Sequence, residues 1–133
     1  MPIDPQAEQE LLASHDAFCR GFAERDVEAV LGEFVPSSDV MCVTSEDAVL
    51  HDREELELFL RRYAAGETTY SWEWDTRIVG GHADAAWLLA EGTETAADEN
   101  GEIRNAYRMT LTFVRTGDGW SLAQVHGSSP HHP

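Results

Sequence analysis

The sequence predicts an α+β fold, with helices in the first half of the chain and one antiparallel sheet in the second. Apolar residues recur at spacings of three and four up to about residue 65. From Thr68 onward the period changes to two. Short turn-rich connectors separate the period-two segments, which is how consecutive strands form an antiparallel meander. A sheet of this kind buries one face on the helices that precede it.

Over residues 6–25, Leu11, His15, Phe18 and Phe22 lie four, three and four apart, with Leu12 and Cys19 beside them. This is an amphipathic helix. Asp26 caps a second, short helix with Val27, Val30, Leu31 and Phe34 on its apolar side, and Pro36 marks its end. Val40 to Thr44 and Ala48 to Leu50 are short extended runs around the turn Ser45-Glu46-Asp47. Asp52 and Glu55 have the spacing of a capping box. The third helix runs from there to about Ala65 and buries Leu56, Phe59, Leu60 and Tyr63. Tyr70 to Val79, Ala85 to Thr95, Ile103 to Arg115 and Trp120 to Ser128 are the long strands. Their connectors contain Gly80-Gly81-His82-Ala83-Asp84, Asp98-Glu99-Asn100-Gly101 and Thr116-Gly117-Asp118-Gly119.

At 133 residues the chain fits one domain, 1–133. Its hydrophobic fraction of 42%, with four tryptophans, excludes wholesale disorder. No apolar run approaches the roughly 20 residues of a membrane span. Met1-Pro2-Ile3-Asp4-Pro5 lacks the basic and apolar regions of a secretion signal, so a cytoplasmic location is expected, with Cys19 and Cys42 reduced and packed as small hydrophobes. The formal charge is −16, which repels phosphate backbones and anionic membranes and argues against nucleic acid or membrane as partner. Every glycine-rich stretch lies in a hairpin turn, so no phosphate-cradling loop exists, and no cofactor is expected.

The end of the chain, Gly119-Trp120-Ser121-Leu122-Ala123-Gln124-Val125-His126-Gly127-Ser128-Ser129-Pro130, carries the strongest local pattern. Strict alternation puts Trp120, Leu122, Gln124, His126 and Ser128 on one face, where apolar packing gives way to donors and acceptors. With Asp52-Arg53-Glu54-Glu55-Leu56, Ala106-Tyr107-Arg108-Met109-Thr110-Leu111 and the element order, this ending resembles the nuclear transport factor 2-like superfamily, and more narrowly its SnoaL-like and ketosteroid-isomerase-like branch. The last strand is also similar to that of the kinase association (hub) domain. The resemblance implies a cystatin-like roll: a cone-shaped, curved antiparallel sheet with three helices from the N-terminal half on its concave face. It also implies a cavity plugged by the first helix and a homodimer formed through the outer sheet face. Members of the superfamily include isomerases, dehydratases, cyclases and non-catalytic hubs, so the site must name the function.

The expected ligand is a small, largely apolar organic molecule. His126 serves as acid or base and Ser128 fixes a ligand oxygen, or else His126 ties the sheet together. Arg108 shares a face with Thr110 and Thr112, against the apolar Tyr107, Met109, Leu111 and Phe113. Turned inward, Arg108 binds a carboxylate or enolate; turned outward, it makes a surface ion pair. A bulge would exchange those faces. His15 lies in the stripe that lines the cavity of the resembled fold, and Asp39 falls near the catalytic aspartate of ketosteroid isomerases. Trp72 and Trp74, and Trp87 with Glu91, offer aromatic walls for a flat ligand or filling for the core or dimer face. A metal site from His51, His126, His131 and His132 has no supporting spacing, and none is expected. Three functions stay open: a ligand binder, an enzyme moving a proton next to a carbonyl with His126 or Asp39 as base, and a dimerisation or sensing module.

Overall fold

The computed structural model describes residues 3–45, 48–117 and 119–130. Glu46, Asp47 and Asp118, read above as turn residues, and the tail histidines His131 and His132 lie outside the described residues. Helix α1 is Pro5–Ala23, and Asp4 caps it by accepting from the Ala7 amide at 2.8 Å. Helix α2, Val27–Gly32, begins where the Asp26 carboxylate accepts from the Ala29 amide, and stops four residues short of Pro36. Helix α3 is Arg53–Ala65. Asp52 caps its Glu55 amide at 2.8 Å, while the Glu55 carboxylate reaches past the cap to the His51 amide.

The strands are β1 Met41–Val43, β2 Val49–Leu50, β3 Thr69–His82, β4 Ala85–Asp98, β5 Gly101–Thr116 and β6 Gly119–Ser128. They form one six-stranded sheet in the order β2-β1-β6-β5-β4-β3. The four long strands make the expected antiparallel meander, whereas β1 pairs with β6 in parallel. That one parallel pair departs from an all-antiparallel sheet. It arises because the short β1–β2 hairpin returns to the far edge of the meander.

Leu11 and Phe18 of α1, Leu56 and Leu60 of α3, and Leu88, Met109, Leu111, Phe113 and Leu122 of the sheet fill the core between the layers. Two arginines stitch the helical layer together. Arg53 donates to the Val35 and Leu31 carbonyls at 2.7 and 3.1 Å, satisfying acceptors at and beyond the end of α2. Arg25, in the left-handed region at φ 57°, donates to Thr69 Oγ1 and to the Ala64 and Gly66 carbonyls, fixing the α3–β3 connection.

The bulge in the last hairpin matters most. Thr112 pairs with Gln124 and Phe113 with Leu122, so Ala123 is an extra residue in β6. Leu122 faces the core, but beyond the bulge it is Val125 and Gly127 that face inward. The strict alternation that placed His126 and Ser128 with Leu122 is therefore corrected. Both residues are exposed on the convex face, as β-bulges re-aim the side chains beyond them.

Candidate functional site

A cavity of about 70 Å³ opens between the helices and the concave face of the sheet. A cavity of this size holds several waters or a small organic group. Phe18 and Phe22 of α1 and Leu56 and Phe59 of α3 form its helical wall. Tyr70, Trp72, Tyr107, Met109 and Val125 form the sheet wall, and Val43, Thr44 and Ser45 stand where β1 ends.

Among the described residues one carboxylate enters this aromatic enclosure. Glu94 is 7% exposed and its Oε2 accepts from the Trp72 indole nitrogen at 3.0 Å. The two residues are register partners in neighbouring strands, so pairing itself brings the indole to the acid. Among the described residues no lysine, arginine or histidine lines the cavity. Its other polar groups include the Tyr107 phenol, 3.4 Å from Ser45 Oγ.

The aromatic wall is built around glycines. Gly92 lies between Trp74 and Tyr107 in the register, and their ring centroids are 6.5 Å apart across it. A Cβ on Gly92 would strike the β3 backbone at the Glu73 carbonyl, where β3 bulges between Trp74 and Thr76. A Cβ on Gly127 would collide with the Tyr107 hydroxyl, so this glycine lets the phenol lie over β6. Trp72 and Trp74 stack at 6.3 Å with planes 7° apart, and Phe22 meets Trp72 edge-on at 5.4 Å. Only Trp72 of the two tryptophans lines the cavity.

The other candidates lie elsewhere. Arg108 is exposed on the convex face and donates to Glu91 Oε2 at 3.1 Å, so of its two readings the surface ion pair holds, and Arg108 and Glu91 leave the ligand-binding set. Thr110 pairs with His126, and Arg108 with Ser128, so this set shares the convex face. Asp39 is exposed in the loop before β1, where its own amide donates to Ser37 Oγ. Trp87 is half exposed on the convex face, with its indole lying over Gly80. Cys42 does line the cavity, but burial pushes its thiol up to about 12, so it stays protonated and unreactive. Among the described residues no three His, Cys, Asp or Glu side chains gather as metal ligands.

His15 is fully buried yet outside the cavity wall. Its ring packs on Trp74 at 5.2 Å, and Nδ1 accepts from Arg77, which also donates to Asp16 at 2.7 Å. Burial first, then the Arg77 charge, lowers its pKa to about 4, so the ring is neutral at pH 7. Among the described residues its Nε2 has no hydrogen-bond partner.

Glu94 carried a readable signal. Ala86, Leu88, Ala90, Gly92 and Glu94 alternate along one face of β4, and Glu94 is the first acid in that otherwise small and apolar series. Glu91 belongs to the opposite series with Trp87 and Leu89.

A curved six-stranded sheet, covered by three helices around a small cavity, puts the protein in the cystatin-like class of α+β folds. The chain belongs to the SnoaL-like domain family, whose model matches residues 11–132. No curated protein matches its sequence. Among solved structures, it is similar to a protein from Streptomyces avermitilis provisionally named as a dehydratase of the nuclear transport factor 2-like family. That match has a TM-score of 0.86 and 19% identity, covering 97% of this chain and 100% of the other. A Thiobacillus denitrificans protein, provisionally named as a calcium/calmodulin-dependent kinase II association domain, matches at 0.72 and 22% identity, over 90% of this chain and 94% of the other. A Nostoc punctiforme protein of unknown function with a cystatin-like fold matches at 0.75 and 16%, over 98% and 96%. Identities this low establish a common fold. Among the described residues no helix is long and apolar enough to cross a membrane.

The neutral, buried His15 couples stability to pH. Above about pH 6.5 the ring is neutral in both states; between there and about 4 only the unfolded chain gains the proton. Stability therefore falls as pH drops through that window, by up to about 3 kcal/mol from this group. Urea denaturation from pH 7 to 4 will show a shallower pH dependence for His15→Leu than for wild type. Identical slopes for the two proteins would show that His15 is not buried in its neutral form.

Proposed function

We propose that this SnoaL-like protein binds a small, largely apolar organic molecule in the cavity between α1, α3 and the sheet. The carrying observation is Glu94, a buried carboxylate in an enclosure otherwise lined mainly by aromatic and aliphatic side chains. Ligand sites have this composition: apolar walls and a few placed polar groups that fix orientation. Titrating the protein with small aromatic molecules is expected to give a saturable change in tryptophan fluorescence, because Trp72 is part of the wall. Ser45→Trp, an exposed position at the rim, should close the cavity and remove that response while leaving the melting temperature within a few degrees. An unchanged titration in the variant would locate binding elsewhere.

The second reading is proton transfer next to a carbonyl, the class to which isomerases, dehydratases and cyclases belong. Its support is that Glu94 and the Tyr107 hydroxyl line the same cavity, giving a base and a donor for a developing oxyanion. His126 and Asp39 are replaced in that role, since neither lines the cavity. Solvent deuterium incorporation into a bound ketone is the diagnostic. Glu94→Gln should slow it by about 100-fold or more, and an equal rate in the variant would end this reading.

A homodimer through the convex face accompanies either reading. Ile78, Leu89, Thr110 and His126 form one continuous cross-strand row there, and Met41, Val49, Ile78 and Trp87 are at least half exposed. Light scattering is expected to give twice the 14.8 kDa chain mass, and Trp87→Arg to give monomers. A wild-type monomer at high protein concentration would remove the dimer.

A further inference from the structure

Resting on the reading of this cavity as a ligand site, we infer that Trp72 fixes the size of its ligand and restricts it to a molecule with a single small ring. Among the described residues Trp72 alone lines both the cavity and a second space of about 250 Å³, an outer cleft between α1 and β3. Asp16, Cys19, Arg20 and Ala23 form the helical side of that cleft, and Ser71 and Trp74 form the strand side together with Trp72. The indole is therefore a partition. On one side is an enclosure of about 70 Å³, on the other a cleft more open and larger.

Three contacts hold the partition in place. Trp72 Nε1 donates to Glu94 Oε2 at 3.0 Å across the β3–β4 pairing. Its plane is 7° from that of Trp74, with centroids 6.3 Å apart, and Trp74 is itself packed on the buried His15. From α1, Phe22 meets the indole edge-on at 5.4 Å. Swinging the indole aside would break its bond to a buried carboxylate and unpack two aromatic rings, and close-packed interiors resist such a change. A second fused ring on the ligand must therefore either project from the mouth into water or displace an indole that is fixed. Removing the indole joins the cavity to the cleft and gives the second ring an apolar place to go.

Two probes with the same hydroxymethyl group, benzyl alcohol and 2-naphthylmethanol, differ by one fused ring. Their binding to the protein is measured by isothermal titration calorimetry at pH 7, because replacing Trp72 removes a fluorescent reporter. Wild type is expected to bind benzyl alcohol at least about tenfold more tightly than 2-naphthylmethanol, and Trp72→Ala to reverse that order by about tenfold. Ala23 lines the cleft and not the cavity. Ala23→Phe alone should thus leave benzyl alcohol binding as in wild type, and added to Trp72→Ala it should abolish the gain for 2-naphthylmethanol. The partition is overturned, and the cavity left as a ligand site, if wild type binds 2-naphthylmethanol as tightly as benzyl alcohol, if Trp72→Ala gains nothing for it, or if the gain survives Ala23→Phe. If neither probe binds wild type, or Ser45→Trp binds benzyl alcohol as wild type does, the ligand-site reading falls and the inference with it. Should Trp72→Ala not fold, Trp72→Leu is read in the same way with an expected gain of at least about threefold, and the order of the two probes on wild type still decides.

Discussion

The pairing of β5 with β6 governs much of this structure, because a single extra residue in it divides the last strand into two segments of opposite facing. Before Ala123, Leu122 is pinned against Phe113 in the core. After it, Val125 and Gly127 turn inward, and Gly127 makes room for the Tyr107 phenol. Without the bulge, a histidine and a serine would occupy the cavity wall in place of a valine and a glycine. The apolar character of the enclosure therefore depends on one residue of register, since a one-residue slip moves every following side chain to the other face.

The helical layer completes the enclosure through contacts made at its ends. Asp4, Asp26 and Asp52 cap the three helices, each accepting from an amide three residues on. Arg53 ties the end of α2 to the start of α3, and Arg25 ties the end of α1 to the entry of β3. Tyr63 adds a third link. Its hydroxyl donates to the Phe22 carbonyl at 2.8 Å and accepts from the Tyr70 amide at 2.9 Å. These bonds hold Phe22 and Tyr70, both cavity-lining residues, in fixed relation to α3.

Charge is distributed with a consequence for chemistry. Most of the acidic surplus is on the surface, where it is solvated and partly paired, as in Arg61 with Glu28 and Glu57. Glu94 is different because it is buried, and the Trp72 indole nitrogen donates to its carboxylate at 3.0 Å. The arginine that looked suited to a site, Arg108, instead makes an exposed ion pair on the far side of the same sheet.

The sequence by itself determined the element types, their order and the caps, because helical and strand periodicity and capping residues act over a few positions. It also determined that the sheet has one apolar face, through Tyr107, Met109, Leu111 and Phe113 in β5. Tertiary structure decided which residues reach the cavity. The bulge at Ala123 has no local marker of its own, and it moved His126 and Ser128 out. Pairing across strands, which joins residues 22 positions apart in Trp72 and Glu94, brought the acid and the indole together. Strand register is fixed by the packing of whole faces against the helices, and alternation along one strand reveals it only as far as the first irregularity.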